Sequence, residues 1–408
     1  MDPGARPKPV APDAAPETLE ERPARYFVGI DLGTTNSALA YIDSTAPRPL
    51  VRDFAIPQVV GPGETGTRPV LPSFCYEWAE GEQEAAPAAG IEGTPLPYVV
   101  GEFARTRGLQ SPGRLVSSAK SWLCHAGVNR TAPLLPWHGA PDVTRVSPVE
   151  ASSRYLAHLR AAWDTAFPTD PLAHQEVVIT VPASFDEVAR ELTVAAAAKA
   201  GLGRITLLEE PQAAFYAWMA EHPGADEPAR QPGRITLVCD VGGGTSDFTL
   251  IQARPTRDHS IRFHRLAVGD HLLLGGDNMD LALAHHLEAR LSPSGRLDAR
   301  RWGLLLQSCR AAKEALLGAE APPTWSISIA GGARVVGGAL QAQLTRDEVA
   351  QLLVEGFFPH ATAAARPATL RSGFQEFGLP YAADPAITKH LAAFLDDHLR
   401  HGDEPNPD

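Results

Sequence analysis

Two short stretches of the chain combine glycines, hydroxyl side chains and acids in a way that suits phosphate chemistry. One is "DLGTTN", from Asp31 to Asn36, and the other is "DVGGGTSD", from Asp240 to Asp247. In each stretch an apolar, strand-like run ends in an aspartate, and a second apolar run follows the turn. Glycines let a tight turn direct its backbone N–H groups at one point, and such turns bind anions. The repeat therefore predicts two phosphate-binding turns.

The aspartates suit the cation that accompanies a phosphate. Magnesium usually keeps several water ligands and takes one or two carboxylates, so Asp31 and Asp240 are candidates to hold a hydrated Mg²⁺. The turns are not Walker A loops, since no G-K-[S/T] occurs and each leads into a strand rather than a helix. The candidate phosphate-binding residues are Gly33, Thr34, Thr35, Asn36, Gly242, Gly243, Gly244 and Thr245.

A glycine-rich hairpin without a ligand is the alternative for either turn taken alone. The occurrence of two such turns in one chain favours the phosphate interpretation.

The surrounding pattern alternates strands and helices. "EVVITVP", "RITLLEE" and "RITLVCD" are typical of buried strands. "SPVE" predicts a helix capped by Ser147, "SFDE" predicts a second cap at Ser184, and that helix stops at Gly201. Thr345 and Glu348 predict another capping box. This alternation indicates an α/β fold.

Composition limits the partners and the environment. The net charge of −12 argues against a general nucleic-acid or anionic-membrane partner, because those attract basic surfaces. The four cysteines stand singly, which predicts neither a disulfide framework nor a zinc site and favours a reducing compartment. No apolar run is long enough to span a bilayer, so we expect a cytoplasmic protein with no membrane partner.

Several segments, in order, resemble the ATPase domain of the Hsp70 chaperone family, within the actin/hexokinase/Hsp70 superfamily. They are "FVGIDLGTTNSALAYID", "VVITVPASFDEVARELTVAAAAKAGL", "LLEEPQAAFYAWM", "LVCDVGGGTSDFTLI" and "LLLGGDNMD". The resemblance covers roughly residues 26–358 and is weakest over 44–145. It implies a two-lobed actin-like ATPase fold, with mixed sheets, flanking helices and a duplicated ribonuclease H-like core.

The resemblance also implies a division of the chain. Residues 1–25, rich in proline and alanine, are expected to form a disordered arm. Residues 26–225 correspond to lobe I of the nucleotide-binding domain, and residues 226–358 correspond to an incomplete lobe II. Residues 359–408 have no counterpart that we can assign.

Further site residues follow from the resemblance alone. Lys120, in "SSAKSWL", is similar to the family lysine that positions the attacking water, although a solvated helix lysine is the alternative. Glu210, in "EEPQ", resembles the family carboxylate near the metal, with a helix N-terminal acid as the alternative. Asp247 resembles the acid that closes the second hairpin, and the resemblance implies that Glu210 and Asp247 orient or deprotonate water. Thr245, in the turn implied to cradle the phosphates, is named with them as a catalytic residue.

A third glycine turn and an adenosine-facing helix complete the implied site. Gly275, Gly276 and Asp277 resemble the turn that approaches the phosphates from lobe II. Lys313 matches a family lysine on the helix that faces adenosine.

The sequence departs from the family pattern on the adenosine side. Arg310 stands where an acid is expected, Glu314 where an arginine is expected, and Leu317 replaces a small hydroxyl residue. The family's late adenosine loop is not found after 345–358, and "AGGARVVGG" at 330–338 is interpreted as a hairpin turn. The chain is therefore C-terminally incomplete or divergent relative to the family.

Three functions remain open. The favoured one is an Hsp70-like protein that binds Mg-ATP and hydrolyses it slowly, with co-chaperones or a separate client-binding subunit as possible partners. The second is a nucleotide-binding scaffold or sensor that has lost turnover. The third is a small-molecule kinase of the same superfamily, because a shared fold does not fix the reaction.

Overall fold

The computed structural model describes residues 23–82, 96–222, 231–256, 261–292, 295–329, 340–368, 379 and 381–399. The expected arm at 1–25 lies almost wholly outside the described residues, and the expected turn at 330–338 lies wholly outside them. Both therefore stay predictions. The described part of the chain is a mixture of helices and short sheets, which agrees with the predicted α/β class.

The strands are β1 (Tyr26–Leu32), β2 (Asn36–Asp43), β3 (Arg52–Asp53), β4 (Ile56–Gly61), β5 (Glu64–Arg68), β6 (Leu71–Pro72), β7 (Cys75–Glu77), β8 (Tyr98–Val100), β9 (Leu115–Val116), β10 (Glu176–Val181), β11 (Ile205–Glu209), β12 (Ile235–Val241), β13 (Ser246–Pro255), β14 (Ile261–Val268), β15 (Thr324–Ile329) and β16 (Leu340–Thr345).

The helices are α1 (Glu102–Gln110), α2 (Ala119–Cys124), α3 (Pro148–Ala166), α4 (Glu187–Lys199), α5 (Glu210–Glu221), α6 (Gly276–Leu291), α7 (Ala299–Leu316), α8 (Arg346–Val349), α9 (Glu355–Phe357) and α10 (Ile387–Leu399). A π-helical segment, Ala350–Val354, joins α8 to α9.

The first sheet has the order β11-β10-β1-β2-β3, and β6 also pairs with β2. β1 runs antiparallel to β2 and parallel to β10, so the predicted first hairpin is confirmed. Alternate residues of β1 are buried, as expected for a strand with one face on a core. This arrangement brings Asp31, near the end of β1, beside Thr180, near the end of β10.

Two predicted helix caps on the first sheet have different outcomes. Ser147 caps α3 as predicted, since its Oγ accepts a hydrogen bond of 3.0 Å from the backbone N–H of Glu150. The predicted cap at Ser184 is wrong. α4 begins at Glu187, and the Asp186 carboxylate accepts the backbone N–H of Ala189 at 2.7 Å instead.

A second sheet is formed by β12, β13 and β14, which pair antiparallel in that order. The register of β12 and β13 places Asp240 opposite Asp247. β15 and β16 form a separate antiparallel pair, as predicted, and Thr345 and Glu348 make the predicted capping box of α8. The two glycine turns thus belong to two different sheets.

Two large groups of buried apolar side chains underlie these sheets. The first core is built mainly from β1, β2, β10 and α3, and includes Ile30, Trp163 and Ile179. The second core lies among β13, α6, α7 and the β15–β16 pair. The proposed lobe boundary between residues 225 and 226 remains a prediction.

The unassigned region 359–408 contributes to both cores. Ile387 and Phe394 of α10 are buried in the second core, where the Phe394 ring lies 5.9 Å from the ring of Phe248. Leu379, which precedes α10, is buried in the first core. The described part of this region is therefore an integral element of the fold.

Among the helices the structure describes, none is long and apolar enough to cross a membrane.

Candidate functional site

The two glycine turns lie face to face. A Cβ atom added to Gly243 would meet Oγ1 of Thr35 at 2.2 Å, and one added to Gly244 would meet Cγ2 of Thr34 at 2.6 Å. Real Cβ atoms do not approach other atoms so closely. Glycine is therefore required where the turn of the second sheet packs on the turn of the first, and the two turns converge at this contact.

A cavity of about 390 Å³ opens beside this contact. Its lining includes most of the predicted phosphate and metal residues, together with Lys120 and Glu210. The lining residues are Asp31, Gly33, Thr34, Thr35, Asn36, Lys120, Thr180, Glu210, Ala213, Ala214, Asp240, Gly242, Gly243 and Thr245. The cavity draws on β1, β10, α2 and α5 as well as on the second hairpin.

A larger cavity, about 600 Å³, lies between residues 358–363 and α10. Its lining is mainly apolar, with His360 and Asp396 among the polar members and no glycine in it. The smaller cavity is the candidate functional site, because backbone turns, acids and a lysine converge there.

Asp31 and Asp240, the acids that precede the two turns, lie on different sheets. Asp31 Oδ1 accepts a hydrogen bond of 3.1 Å from Oγ1 of Thr180. Burial raises the pKa of Asp240, and the negative charges of Asp247 and Asp31 raise it further, against the opposing effect of Lys120. A cation placed near Asp240 would relieve this repulsion.

Lys120 and Glu210 form a buried ion pair in the wall of the cavity. Burial lowers the pKa of Lys120, but the charges of Glu210, Asp31 and Asp247 together outweigh it, so the pKa is raised and the amine stays protonated. The pKa of Glu210 is also raised, because burial and the nearby charges of Asp31 and Asp240 outweigh the stabilisation by Lys120. Lys120 is thus a buried cation rather than a solvated helix lysine.

The charged residues of the cavity lining leave its wall with an excess of negative charge. Asp31, Asp240 and Glu210 are balanced within the lining by Lys120 alone. Within the described ranges, no group of three His, Cys, Asp or Glu side chains is arranged to hold a metal ion directly. Two carboxylates beside backbone turns are a donor set of the kind that Mg²⁺ takes when it keeps several of its waters.

The third glycine turn lies behind the second turn and outside the lining of the cavity. The backbone N–H of Gly276 donates to Gly242 O at 3.0 Å, and that of Asp277 donates to Gly243 O at 2.6 Å. The side chain of Asp277 accepts from Oγ1 of Thr35 at 3.1 Å. Because the N–H groups of Gly276 and Asp277 already have protein acceptors and Gly275 packs on Gly242 and Gly243, the third turn supports the second turn, and none of its three residues is part of the cavity lining.

The residues of α7 that the resemblance predicts to face adenosine are likewise engaged with protein groups. Arg310 donates from Nε to Oδ2 of Asp280 at 2.7 Å and also pairs with Asp277. Lys313 lies 2.6 Å from Oδ1 of Asp280 and donates to Gly276 O at 2.8 Å. The buried carboxylate of Asp280 explains the departure at Arg310, since a cation at this position neutralises it. Lys313 is not part of the cavity lining.

Asp247 is not among the residues that line the cavity. Its Oδ1 accepts a hydrogen bond of 2.7 Å from Oγ of Ser184 and lies 3.2 Å from Nδ1 of His271. Only 5% of the residue is exposed. It still acts on the site through its charge, which raises the pKa values of both Lys120 and Asp240.

Three residues of this neighbourhood were missed by sequence reasoning. Thr180 could have been predicted from the sequence, because "EVVITVP" has the pattern of a strand and the ends of neighbouring parallel strands meet at one edge of the sheet. Ser184 was assigned to a helix cap, and His271 belongs to no motif. Its position beside Asp247 depends on a contact between distant segments.

Comparison with known proteins identifies a family to which this chain is similar. A family model described as Hsp70 protein matches residues 138–368. A Chaperone protein HscA homolog of Pseudomonas paraeruginosa is 32% identical over 384 residues, which is 91% of this chain and 51% of that protein. One of Ralstonia nicotianae is 33% identical over 309 residues, covering 72% of this chain and 42% of that protein.

A third relative, the Chaperone protein HscA of an Enterobacter species, is 31% identical over 341 residues, covering 81% of this chain and 46% of that protein. The chain thus spans about half the length of the curated relatives it matches.

Proposed function

This chain belongs to the Hsp70 family, and on that premise we propose that it binds Mg-ATP in the cavity between the two glycine turns and hydrolyses it slowly. The observation that carries the proposal is the packing of Gly243 and Gly244 on Thr35 and Thr34, with an aspartate beside each turn. A polyphosphate fits between two such turns because each can offer backbone N–H donors and hydroxyl groups.

The cation would be held by Asp31 and Asp240 through water. In that place a Mg²⁺ ion would offset the negative charge of the phosphates. Thr180 orients the carboxylate of Asp31 by its hydrogen bond. The raised pKa of Asp240 supports this assignment, because repulsion from Asp31 and Asp247 is what a bound cation would relieve.

Hydrolysis would depend on positioning and charge neutralisation, which dominate phosphoryl transfer. Lys120, protonated and buried, would place a water molecule against the terminal phosphate. Glu210 fixes the amine of Lys120 and, with its raised pKa, is suited to accept a proton from that water. Thr245 adds a hydroxyl group to the wall of the cavity.

We also propose the two-lobed, actin-like arrangement with a duplicated core. It is supported by the equivalence of the two hairpins: β1 and β2 carry Asp31 at the turn, and β12 and β13 carry Asp240 there. The chaperone names of the relatives suggest that co-chaperones and a client-binding part belong to the whole protein. Those partners are proposals for this chain.

Single-turnover hydrolysis tests the catalytic part of this proposal. The chain in excess over radiolabelled Mg-ATP should release phosphate, and Lys120→Ala should slow that release by about a hundredfold while still binding nucleotide. Lys199→Ala is the matched control, since Lys199 pairs with Glu150 on the surface. Equal rates for the wild type and Lys120→Ala would contradict the assigned role.

One observation favours the alternative of a nucleotide-binding scaffold without turnover. Arg310 and Lys313, on the helix face expected to meet adenosine, are paired with Asp280 and Asp277. A site that recognises only the phosphates would bind ATP, GTP and tripolyphosphate with similar affinity. Equal binding of the three without phosphate release would support the scaffold, and a clear preference for ATP with release would exclude it.

A further inference from the structure

The carboxylate of Asp247 is held by two side chains from distant segments of the chain. Oγ of Ser184 donates to Oδ1 of Asp247 at 2.7 Å. Nδ1 of His271 lies 3.2 Å from the same carboxylate oxygen and 3.0 Å from Oγ of Ser184. The three polar atoms therefore form a closed triangle. The hydroxyl group of Ser184 serves Asp247 in this way, whereas α4 takes its cap from Asp186.

The triangle is largely out of solvent, since the side chains of Asp247 and His271 are 6% and 15% exposed. A buried carboxylate is stable as an anion when a cation and hydrogen-bond donors compensate for the lost water. Burial lowers the pKa of His271, but the interactions with Asp247 and Cys124 outweigh burial and raise that pKa to about 10. The ring is therefore an imidazolium at neutral pH, and it forms an ion pair with Asp247.

Other titratable groups lie near the ring without replacing Asp247. Cys124, the last residue of α2, interacts with the imidazole, and both line a smaller cavity of about 260 Å³. His125 and Asp186 line this smaller cavity as well. The carboxylate of Asp186 is already paired with the guanidinium of Arg130 through contacts of 2.8 and 2.7 Å. Asp247 is therefore the carboxylate that pairs with the imidazolium.

Asp247 connects this ion pair to the candidate site. In the antiparallel register of β12 and β13, Asp247 lies opposite Asp240. Burial raises the pKa of Asp240, and the negative charge of Asp247 raises it further. Burial lowers the pKa of Lys120, and the charge of Asp247 is among those that outweigh burial there. The ionisation of Asp247 therefore acts on an acid and a cation that both line the cavity between the glycine turns.

We propose that His271 and Ser184 are positioning residues for the proposed hydrolysis, because they fix Asp247 beside the site and keep its carboxylate ionised. The inference rests on the proposed function for this catalytic role, whereas the ion pair can be tested without nucleotide. His271 and Ser184 are not among the residues that line the nucleotide cavity, so they act through Asp247. Without the imidazolium, a buried carboxylate opposite Asp240 would take up a proton more readily.

Nuclear magnetic resonance of the whole chain without nucleotide tests the ion pair. The ring nitrogens of His271 should report a protonated imidazole from about pH 5 to about pH 8, because the pKa of the ring is about 10. Asp247→Asn removes the charge that holds this proton, so the ring should lose the proton within the same range. A wild-type ring that deprotonates near pH 6.5, or a ring unaffected by Asp247→Asn, would overturn the proposal.

The pH dependence of single-turnover phosphate release tests the catalytic role. His271→Asn can keep a donor near the position of Nδ1 but carries no charge. It should slow release at least about tenfold near pH 6, and this slowing should shrink to about threefold or less near pH 9, where the carboxylate is ionised in both proteins. Ser184→Ala, which keeps the charged ring and removes one donor, should have a smaller effect in the same direction.

His125→Asn is the matched control, because His125 lines the same smaller cavity but its Nδ1 accepts from the backbone N–H of Gly127. This control should leave the pH profile unchanged. Slowing by His271→Asn that is equal at all pH values, or an equal change in His125→Asn, would overturn the catalytic role. A wild type that releases no phosphate at any pH would refute the proposed hydrolysis and this role together, and the resonances of His271 would still decide whether the ion pair exists.

Discussion

Lys120 and Glu210, ninety positions apart in the sequence, form an ion pair with side chains that are only 9% and 14% exposed. The pair joins α2 to the start of α5 and lies beside Asp31 and Asp240 in the cavity lining. It is therefore a structural connection as well as the centre of the proposed chemistry. Two consequences, one for stability and one for activity, can be measured separately.

Lys120→Ala should lower the free energy of unfolding by about 3 kcal/mol, because it leaves the buried Glu210 carboxylate without its cation. Chemical denaturation measures the loss. Lys199→Ala is the control, since its pair with Glu150 leaves Lys199 57% exposed and should contribute at most about 1 kcal/mol. Equal losses in the two variants would show that the Lys120–Glu210 pair is not desolvated.

Gly243→Ala should destabilise the chain by about 1–3 kcal/mol and abolish Mg-ATP binding, because the new methyl group would overlap Oγ1 of Thr35. Gly29→Ala is the matched control, since a Cβ at Gly29 in β1 meets nothing within 4 Å. Thermal unfolding and nucleotide titration report the two effects. Normal binding by Gly243→Ala would mean that the turns are not packed together in solution.

Arg310→Ala should lower the free energy of unfolding by about 3 kcal/mol, because it removes the guanidinium paired with Asp277 and leaves the fully buried Asp280 with Lys313 alone. Glu314, the other position with a reversed charge relative to the family, is exposed, and Glu314→Ala should change stability by less than about 0.5 kcal/mol. Denaturant midpoints of the two variants provide the comparison. A larger effect at Glu314 than at Arg310 would refute the structural explanation of the departure.

The pair between His271 and Asp247 should make stability depend on pH in a defined direction. The pKa of His271 is raised from the ordinary 6.5 to about 10, so the folded protein holds this proton more tightly than the unfolded chain. The stabilisation is fully present below pH 6.5 and is lost as the pH rises toward 10. The difference in unfolding free energy between the wild type and His271→Gln should shrink over that range. A difference that grows with pH would contradict the assigned charge.

The two glycine turns were predictable because their signal is local. Three successive glycines between two apolar runs predict a tight turn after Asp240, and the turn after Asp31 shares its preceding aspartate, a glycine and hydroxyl residues. The prediction that Ser184 caps α4 was wrong because the local signal there is ambiguous. "SFDE" contains two residues able to cap, and the choice of Asp186 depends on where α4 begins and on its pairing with Arg130.

Long-range contacts account for what the sequence did not reveal. The N–H groups of Gly276 and Asp277 are unavailable to a ligand because they donate to the carbonyl oxygens of Gly242 and Gly243, which belong to a different segment of the chain. The engagement of Arg310 with Asp280 and the approach of His271 to Asp247 likewise join separate elements. No local pattern encodes such contacts, so the placement of the third turn and of His271 beside Asp247 required coordinates.

Calorimetric titration of the chain with ATP, with and without Mg²⁺, tests the central claim most directly. The account predicts saturable binding that requires Mg²⁺ and is weakened at least tenfold in both Asp31→Asn and Asp240→Asn, with Gly29→Ala unaffected. Absence of binding at millimolar Mg-ATP, or binding indifferent to both aspartates, would contradict it.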